Sequence, residues 1–195
     1  MILKKVPSSK IKRFLQNFIL PLSIFIFFLD SCTLYKLKDD SDKIPNFHKV
    51  NNLLYRGGQP TKKSFLSLKK LNISVIINLR STCEDVKEEG EIAEAMGMKF
   101  VSIPWKLWNP FCIPKDEDVT IFLNTLKKEH EKGKKVFVHC LHGRDRAGIM
   151  IACYRISECK WSFENAYEEM KKYGFLWWWY FRFKSYLYEF SEKNK

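Results

Sequence analysis

With 195 residues, 46% of them hydrophobic and 15% aromatic, the chain has enough apolar material for one compact domain with a real core and too little for two of ordinary size. Its formal net charge of +12 argues against basic partners and toward anionic ones: phosphorylated molecules, anionic lipid head groups or nucleic acid. Beyond Cys32, the cysteines Cys83, Cys112, Cys140, Cys153 and Cys159 are odd in number and lack metal-ligand spacing, so neither a zinc site nor a disulfide framework is signalled, and at least one thiol is expected to be free.

In chain order, Lys4, Lys5, Lys10, Lys12 and Arg13 precede an apolar run from Phe18 to Leu29 that Pro21 interrupts. The run is shorter than the roughly 18 residues a spanning helix needs, and the layout is that of a signal peptide over residues 1–31. Leu29-Asp30-Ser31-Cys32 resembles the lipobox of bacterial lipoproteins, in which the cysteine is lipidated and becomes the mature N-terminus. Asp30 departs from the small or apolar residue usual at its position. The other reading is an uncleaved N-terminal anchor. Either one attaches the chain to a membrane, and the lipoprotein reading makes it extracytoplasmic. Cleavage before Cys32 would remove the five cations and Asp30 and leave a basic remainder. Residues 32–46, with the polar stretch Lys36 to Lys43, read as a tether, and 47–195 as the folded domain.

Val50 to Tyr55 is expected to be a first strand, ending at Gly57-Gly58-Gln59-Pro60. Thr61 caps an expected helix with Phe65, Leu68 and Leu71 on one face. Val75 to Leu79 has the composition of a buried strand, Glu84 to Met96 that of a helix stopped by Gly97, and Phe100 to Ile103 that of another strand. Lys115 to Lys132 is expected to be helical, with Val119, Phe122, Leu123 and Leu126 inward and Gly133 at its end. Val136 to His139 is the next strand, and from Ala147 onward the pattern is helical only. The alternation predicts an α/β fold in which helices flank a central, mainly parallel sheet.

The stretch Val-Phe-Val-His-Cys-Leu-His-Gly-Arg-Asp-Arg-Ala-Gly, residues 136–148, concentrates the chemistry. A buried strand ends at Cys140, a short loop follows with Gly143 at its centre, and a helix begins at Ala147. Glycine admits backbone angles closed to other residues, and N–H groups at a helix N-terminus converge on an anion. The field that holds a phosphate dianion also favours a thiolate, which is a competent nucleophile there. Arg146 supplies the planar fork that grips two phosphate oxygens. Leu141, His142, Gly143, Arg144 and Ala147 complete the phosphate-binding loop.

His139, Cys140 and Arg146 match the His-Cys-x5-Arg signature, and on these residues the chain resembles the cysteine-dependent protein tyrosine phosphatase superfamily. It is most similar to the compact dual-specificity-like phosphatases, whose second marker, Tyr-Arg-x-Gly-Gln-Pro, stands here as Tyr55 to Pro60; the resemblance covers roughly residues 47–175. It implies a single-domain fold with a mainly parallel sheet, no metal or other cofactor, and a cysteinyl-phosphate intermediate that water hydrolyses. The implied substrates are phosphoproteins carrying phosphotyrosine, with phosphoserine, phosphothreonine or inositol phosphates as further classes, and nucleic acid is not among them.

Two positions depart from the family pattern. Ala147 stands where Ser or Thr commonly helps the thiolate leave. No carboxylate occupies the stretch from Trp105 to Pro114, where the family usually carries its general acid; the nearest are Asp116, Glu117 and Asp118, which also suit a helix first turn. Asp116, Asp118 and Asp145 are therefore the candidate acids, Asp145 because some phosphoinositide phosphatases of the superfamily carry an aspartate at this loop position. Its other reading is to orient Arg146. His142 is either a phosphate contact or a solvated loop histidine; Arg144 either extends recognition or adds to the basic field; Arg56 is read as satisfying backbone carbonyls. Cys153 and Cys159 are read as core or surface thiols, a Cys140–Cys153 disulfide being the alternative for the former. The segment Phe175 to Phe190, with Trp177-Trp178-Trp179-Tyr180, is read as a helix packing its rings on the core, or else as an interfacial contact. Beside a phosphatase, the loop allows a phosphate-binding pseudoenzyme. A rhodanese-like sulfur transferase is disfavoured by the second marker.

Overall fold

The structure, a computed structural model, describes residues 42–107 and 111–195. The expected signal peptide, the lipidation site Cys32 and most of the tether lie outside the described residues.

Five strands form one sheet: β1 His48–Lys49, β2 Leu54–Gly57, β3 Ile73–Asn78, β4 Lys99–Ser102 and β5 Lys135–His139. Their order is β1-β2-β5-β3-β4. The short β1 pairs antiparallel with β2, and every other pairing is parallel. Among the described residues six helices connect and flank them: α1 Ser64–Lys70, α2 Glu84–Ala95, α3 Asp116–Glu131, α4 Asp145–Ser157, α5 Phe163–Lys172 and α6 Phe181–Lys193. This is the single-domain, mostly parallel α/β fold expected of a dual-specificity-like phosphatase.

The inner strands β2, β3 and β5 are buried nearly throughout because both faces of the sheet are covered there, whereas the edge strands β1 and β4 carry polar, partly exposed residues. Leu54, Val75, Ile77, Val136 and Val138 pack against Val119 and Phe122 of α3, Ile149 and Ile151 of α4, and Phe183 of α6. The alternate residues Tyr55, Ile76 and Phe137 face Phe65 and Leu68 of α1 and Ala93 of α2. The two-residue side-chain period of a strand thus sorts one run into two cores. It also turns His139, two residues after Phe137, toward the α1–α2 side, where its ring stacks on that of Phe137 with centroids 5.3 Å apart.

Three local expectations shift. β2 begins at Leu54 rather than Val50, because Asn51 Oδ1 accepts the N–H of both Leu53 and Leu54 at 2.8 Å and folds residues 50–53 into a turn. Thr61 Oγ1 does accept the Ser64 N–H, but the helix starts at Ser64 and Leu71 is left exposed. The last helix begins only at Phe181: α5 ends before Gly174, whose φ of +84° takes the chain out of the helix, and residues 177–179 form turns. Of that segment Phe175, Phe183, Tyr186 and Leu187 do pack into the core.

Candidate active site

Cys140 follows β5, the central strand, and α4 starts five residues later. The loop between them therefore sits beyond the carboxyl ends of parallel strands, where open α/β sheets form their ligand crevices. The first-turn N–H groups of α4 have no partner within the helix and supply the positive end of its dipole.

The Tyr55–Pro60 segment holds this loop from outside. Gly143 has φ of +70°, and a Cβ on it would lie 2.4 Å from the Gly57 carbonyl carbon. Both the backbone angle and the space demand glycine. A Cβ on Gly58 would meet the Leu141 oxygen at 2.9 Å, and the Gln59 N–H donates to that same oxygen at 3.0 Å. Arg56, fully buried, donates from Nη2 to the carbonyls of Gly143 at 2.8 Å and Arg144 at 3.4 Å. Its guanidinium lies 4.7 Å from the Tyr173 ring centroid, and burial lowers its pKa. Arg56 thus takes the carbonyl-satisfying place read from the sequence. Asn46 adds a bond from Nδ2 to the Gly143 carbonyl at 2.9 Å. With its carbonyls turned outward onto these donors, the loop can aim N–H groups inward.

Arg146 is buried and donates from Nη1 to the carbonyls of Leu79 at 3.2 Å and Trp105 at 3.0 Å. These bonds fix the guanidinium plane. Asp145 is also buried: its Oδ1 accepts the Leu176 N–H at 3.0 Å, and its Oδ2 lies 3.8 Å from Arg144 Nη2. Burial raises its pKa, against the Leu176 bond and the Arg144 charge, which lower it. His142 is exposed at its rim; the buried part of its surroundings and the charge of Arg144 lower its pKa. Ala147 is fully buried.

Asp116 stands in the first turn of α3 and is engaged by α6: Tyr186 Oη donates to Oδ1 at 3.0 Å, and Lys193 Nζ lies 3.5 Å from Oδ2. Asp118 is half-buried in the same turn. Cys153 is fully buried, its thiol pKa pushed up by desolvation. Cys140, Cys153, Cys112 and Cys159 are free thiols.

A buried polar network behind the loop is not evident in the sequence. Glu89 of α2 and His139 are both fully buried, with Oε1 and Nε2 2.7 Å apart. The other Glu89 oxygen accepts from Gln59 Nε2 at 2.8 Å and Asn78 Nδ2 at 2.6 Å. Arg80 Nη1 donates to Gln59 Oε1 at 2.6 Å, and the Arg80 N–H to Asn78 Oδ1 at 2.6 Å. A carboxylate in an apolar core is tolerated only with such a set of donors. The Gly-Gln-Pro segment, the end of β3, helix α2 and the residue before Cys140 are thereby tied into one unit. The only sequence signal was polar residues, Asn78 and Arg80, flanking the end of an apolar strand.

The geometry can be set beside known proteins. The dual specificity protein phosphatase TpbA of Pseudomonas aeruginosa is 27% identical over 132 residues, which are 67% of this chain and 55% of that protein. Inositol diphosphatase DSP3 of Arabidopsis thaliana is 31% identical over 137 residues, 68% of this chain and 64% of its own length. The chain thus spans between about half and two-thirds of the curated relatives it matches. A crystal structure of a DUF442 protein of Shewanella putrefaciens superimposes with a TM-score of 0.66 at 28% identity, covering 78% of this chain and 92% of that one. A family model, described as DSP-PTPase phosphatase fused to NAD+ kinase, matches residues 33–175, most of the sequence and the whole of both the Tyr55–Pro60 segment and the Cys140–Arg146 loop, and to that dual-specificity-like phosphatase family the chain belongs.

Proposed function

We propose that the chain is a cysteine-dependent phosphatase that hydrolyses phosphomonoesters through a cysteinyl-phosphate intermediate. The observation that carries this reading is the clamp on the Cys140–Arg146 loop. Four groups of the Tyr55–Pro60 segment hold its backbone by contact or hydrogen bond, with the N-terminus of α4 behind it. A preorganised cradle stabilises charge in the transition state without reorganising at the moment of reaction.

In the first step the Cys140 thiolate attacks phosphorus in line with the leaving oxygen, and the S–P bond forms as the O–P bond breaks. Arg146 holds two equatorial oxygens through Nη2 and Nε, its Nη1 being committed to carbonyls. Asp145 gives its proton to the leaving oxygen; its raised pKa suits a carboxyl that must be protonated before it acts. In the second step water attacks the cysteinyl phosphate, Asp145 takes its proton, and Cys140 leaves as thiolate. Leu141, His142, Gly143, Arg144 and Ala147 supply the backbone of the cradle. Asp116 and Asp118 are the reserve acids, and the bonds of Asp116 to α6 favour a structural role for it.

The substrates are phosphotyrosine proteins, with phosphoserine, phosphothreonine and inositol phosphates next; a dual specificity protein phosphatase and an inositol diphosphatase among the relatives support that range. Phosphate release from a panel of phosphopeptides and inositol phosphates, with Cys140→Ser as control, tests the reading. Turnover of neither class would favour the second reading, a phosphate-binding pseudophosphatase, to which the missing hydroxyl at Ala147 points. The N-terminal pattern supports a lipoprotein lipidated at Cys32, membrane-anchored and extracytoplasmic. Fatty-acid labelling lost in Cys32→Ala tests it, and an unlabelled protein of full precursor length would favour the uncleaved anchor.

A further inference from the structure

The segment leading from α5 into α6 exposes a group of large rings, of which Phe181 also meets Phe111 edge-to-face with centroids 5.8 Å apart. Trp177 is 56% exposed, Trp178 62% and Phe181 52%. Isolated exposed aromatics are ordinary, but three within five residues form a patch. The patch adjoins the phosphate loop. Leu176, immediately before Trp177, is the residue whose N–H binds Asp145, and the Arg144 side chain lies against Gly174. The exposed charges within residues 173–188 are both positive, Arg182 and Lys184; the nearby carboxylate, Asp145, is buried and bonded to the Leu176 N–H.

Tryptophan, phenylalanine and flanking cations are the composition that settles at a lipid–water boundary, where rings enter the acyl margin and cations meet anionic head groups. We propose that Trp177, Trp178 and Phe181 seat the mouth of the site on an anionic membrane surface, with Arg144, Arg182 and Lys184 meeting its head groups. The charge complementarity favours anionic lipid over an apolar protein groove, which would not need the cations. No helix among the described residues is long and apolar enough to cross a membrane, so this contact lies in the interface. It orients the domain on a surface, which attachment through the N-terminus alone would leave free to rotate. The inference does not depend on catalysis.

The test uses the full chain with vesicles whose acyl chains carry bromine, which quenches tryptophan on contact. One set contains phosphatidylglycerol and the other is phosphatidylcholine alone. The expected result is strong quenching on the anionic vesicles, of which most is lost in Trp177→Phe/Trp178→Phe, a variant that keeps the aromatic bulk and removes the reporters. Weaker quenching is expected on phosphatidylcholine and in Arg182→Gln/Lys184→Gln. Equal quenching of wild type and the double Phe variant would overturn the proposal, by showing that rings 177 and 178 stay out of lipid, as on a protein-binding surface. Equal quenching on the two vesicle types would also overturn it, by removing the anionic requirement.

Discussion

His139 Nε2 and Glu89 Oε1 stand 2.7 Å apart with both side chains fully buried, so the residue before Cys140 is braced by a carboxylate from helix α2. Because the second Glu89 oxygen accepts from Gln59 and Asn78, Glu89→Ala leaves both of these buried donors without that acceptor. Leaving a buried polar group unsatisfied costs about 1–3 kcal/mol, which in a domain of this size lowers Tm by several degrees. Turnover should fall as well, since the same network holds the Gly-Gln-Pro clamp. Thermal unfolding and phosphate release measured together check this, and an unchanged Tm would mean that the network contributes nothing.

Glycine replacements separate conformational cost from crowding. Gly97 and Gly143 have similar positive φ values, +75° and +70°, but a Cβ on Gly97 meets nothing within 4 Å, whereas on Gly143 it meets Gly57 backbone at 2.4 Å. Gly97→Ala should therefore cost only the left-handed backbone penalty, about 1–2 kcal/mol. Gly143→Ala should cost more and displace the loop, with loss of phosphate protection against thermal unfolding. Equal losses of stability, with phosphate protection kept in both variants, would contradict the clamp.

How much of this was legible in the sequence differs element by element. The strand–loop–helix unit from Val136 to Ala147 stood out because apolar period, glycine and helix start are all local. The parallel sheet followed from alternation, since a buried strand and an amphipathic helix each carry their own signature. The link between Glu89 and His139 did not, because it joins residues fifty positions apart in sequence, and a glutamate inside a helix otherwise reads as solvent-facing. The start of β2 was misplaced for a local reason: apolar Val50 and Leu53 suited a strand, but the Asn51 side chain captured two backbone N–H groups. The tryptophan segment failed as a helix because Gly174 stops α5, and ring composition does not record backbone turns.

The raised pKa of Asp145 has consequences for both stability and rate. The carboxyl ionises more easily in the unfolded chain than in the folded one. Its contribution to stability is therefore full below the unfolded value of about 3.9 and falls as pH rises toward the folded value. Asp145→Asn keeps an oxygen for the Leu176 N–H, so its stability relative to wild type should improve as pH rises through that window. Denaturant unfolding across the acidic range checks the sign, and an opposite trend would mean a depressed carboxyl.

On catalysis, removal of a general acid costs about 10²–10⁴-fold and falls hardest on poor leaving groups. Asp145→Asn should slow an alkyl phosphate far more than an activated aryl phosphate and flatten the alkaline limb of the pH–rate profile. Asp116→Asn and Asp118→Asn should change little. Equal loss on both substrates would reduce Asp145 to a scaffold for the loop, and selective loss in Asp116→Asn or Asp118→Asn would move the proton to the first turn of α3.

Ala147 is buried at the start of α4 and offers no hydroxyl to the departing thiolate. Rapid mixing should reveal a burst of leaving group followed by slow turnover, and Ala147→Ser should raise the steady rate. Absence of both the burst and the gain would place the slow step elsewhere.

The central claim, that Cys140 carries the phosphoryl group between two steps, is tested most directly by trapping. Full-length protein mixed with an aryl phosphate, quenched in acid within its first turnovers and digested should yield a phosphoryl adduct on the peptide that contains Cys140. In Cys140→Ser no adduct should form and phosphate release should stop while the fold remains, because a serine hydroxyl is intrinsically far less acidic and a far weaker nucleophile than a thiol. Phosphate release by Cys140→Ser at the wild-type rate, or rapid wild-type turnover with no adduct on that peptide, would contradict the account.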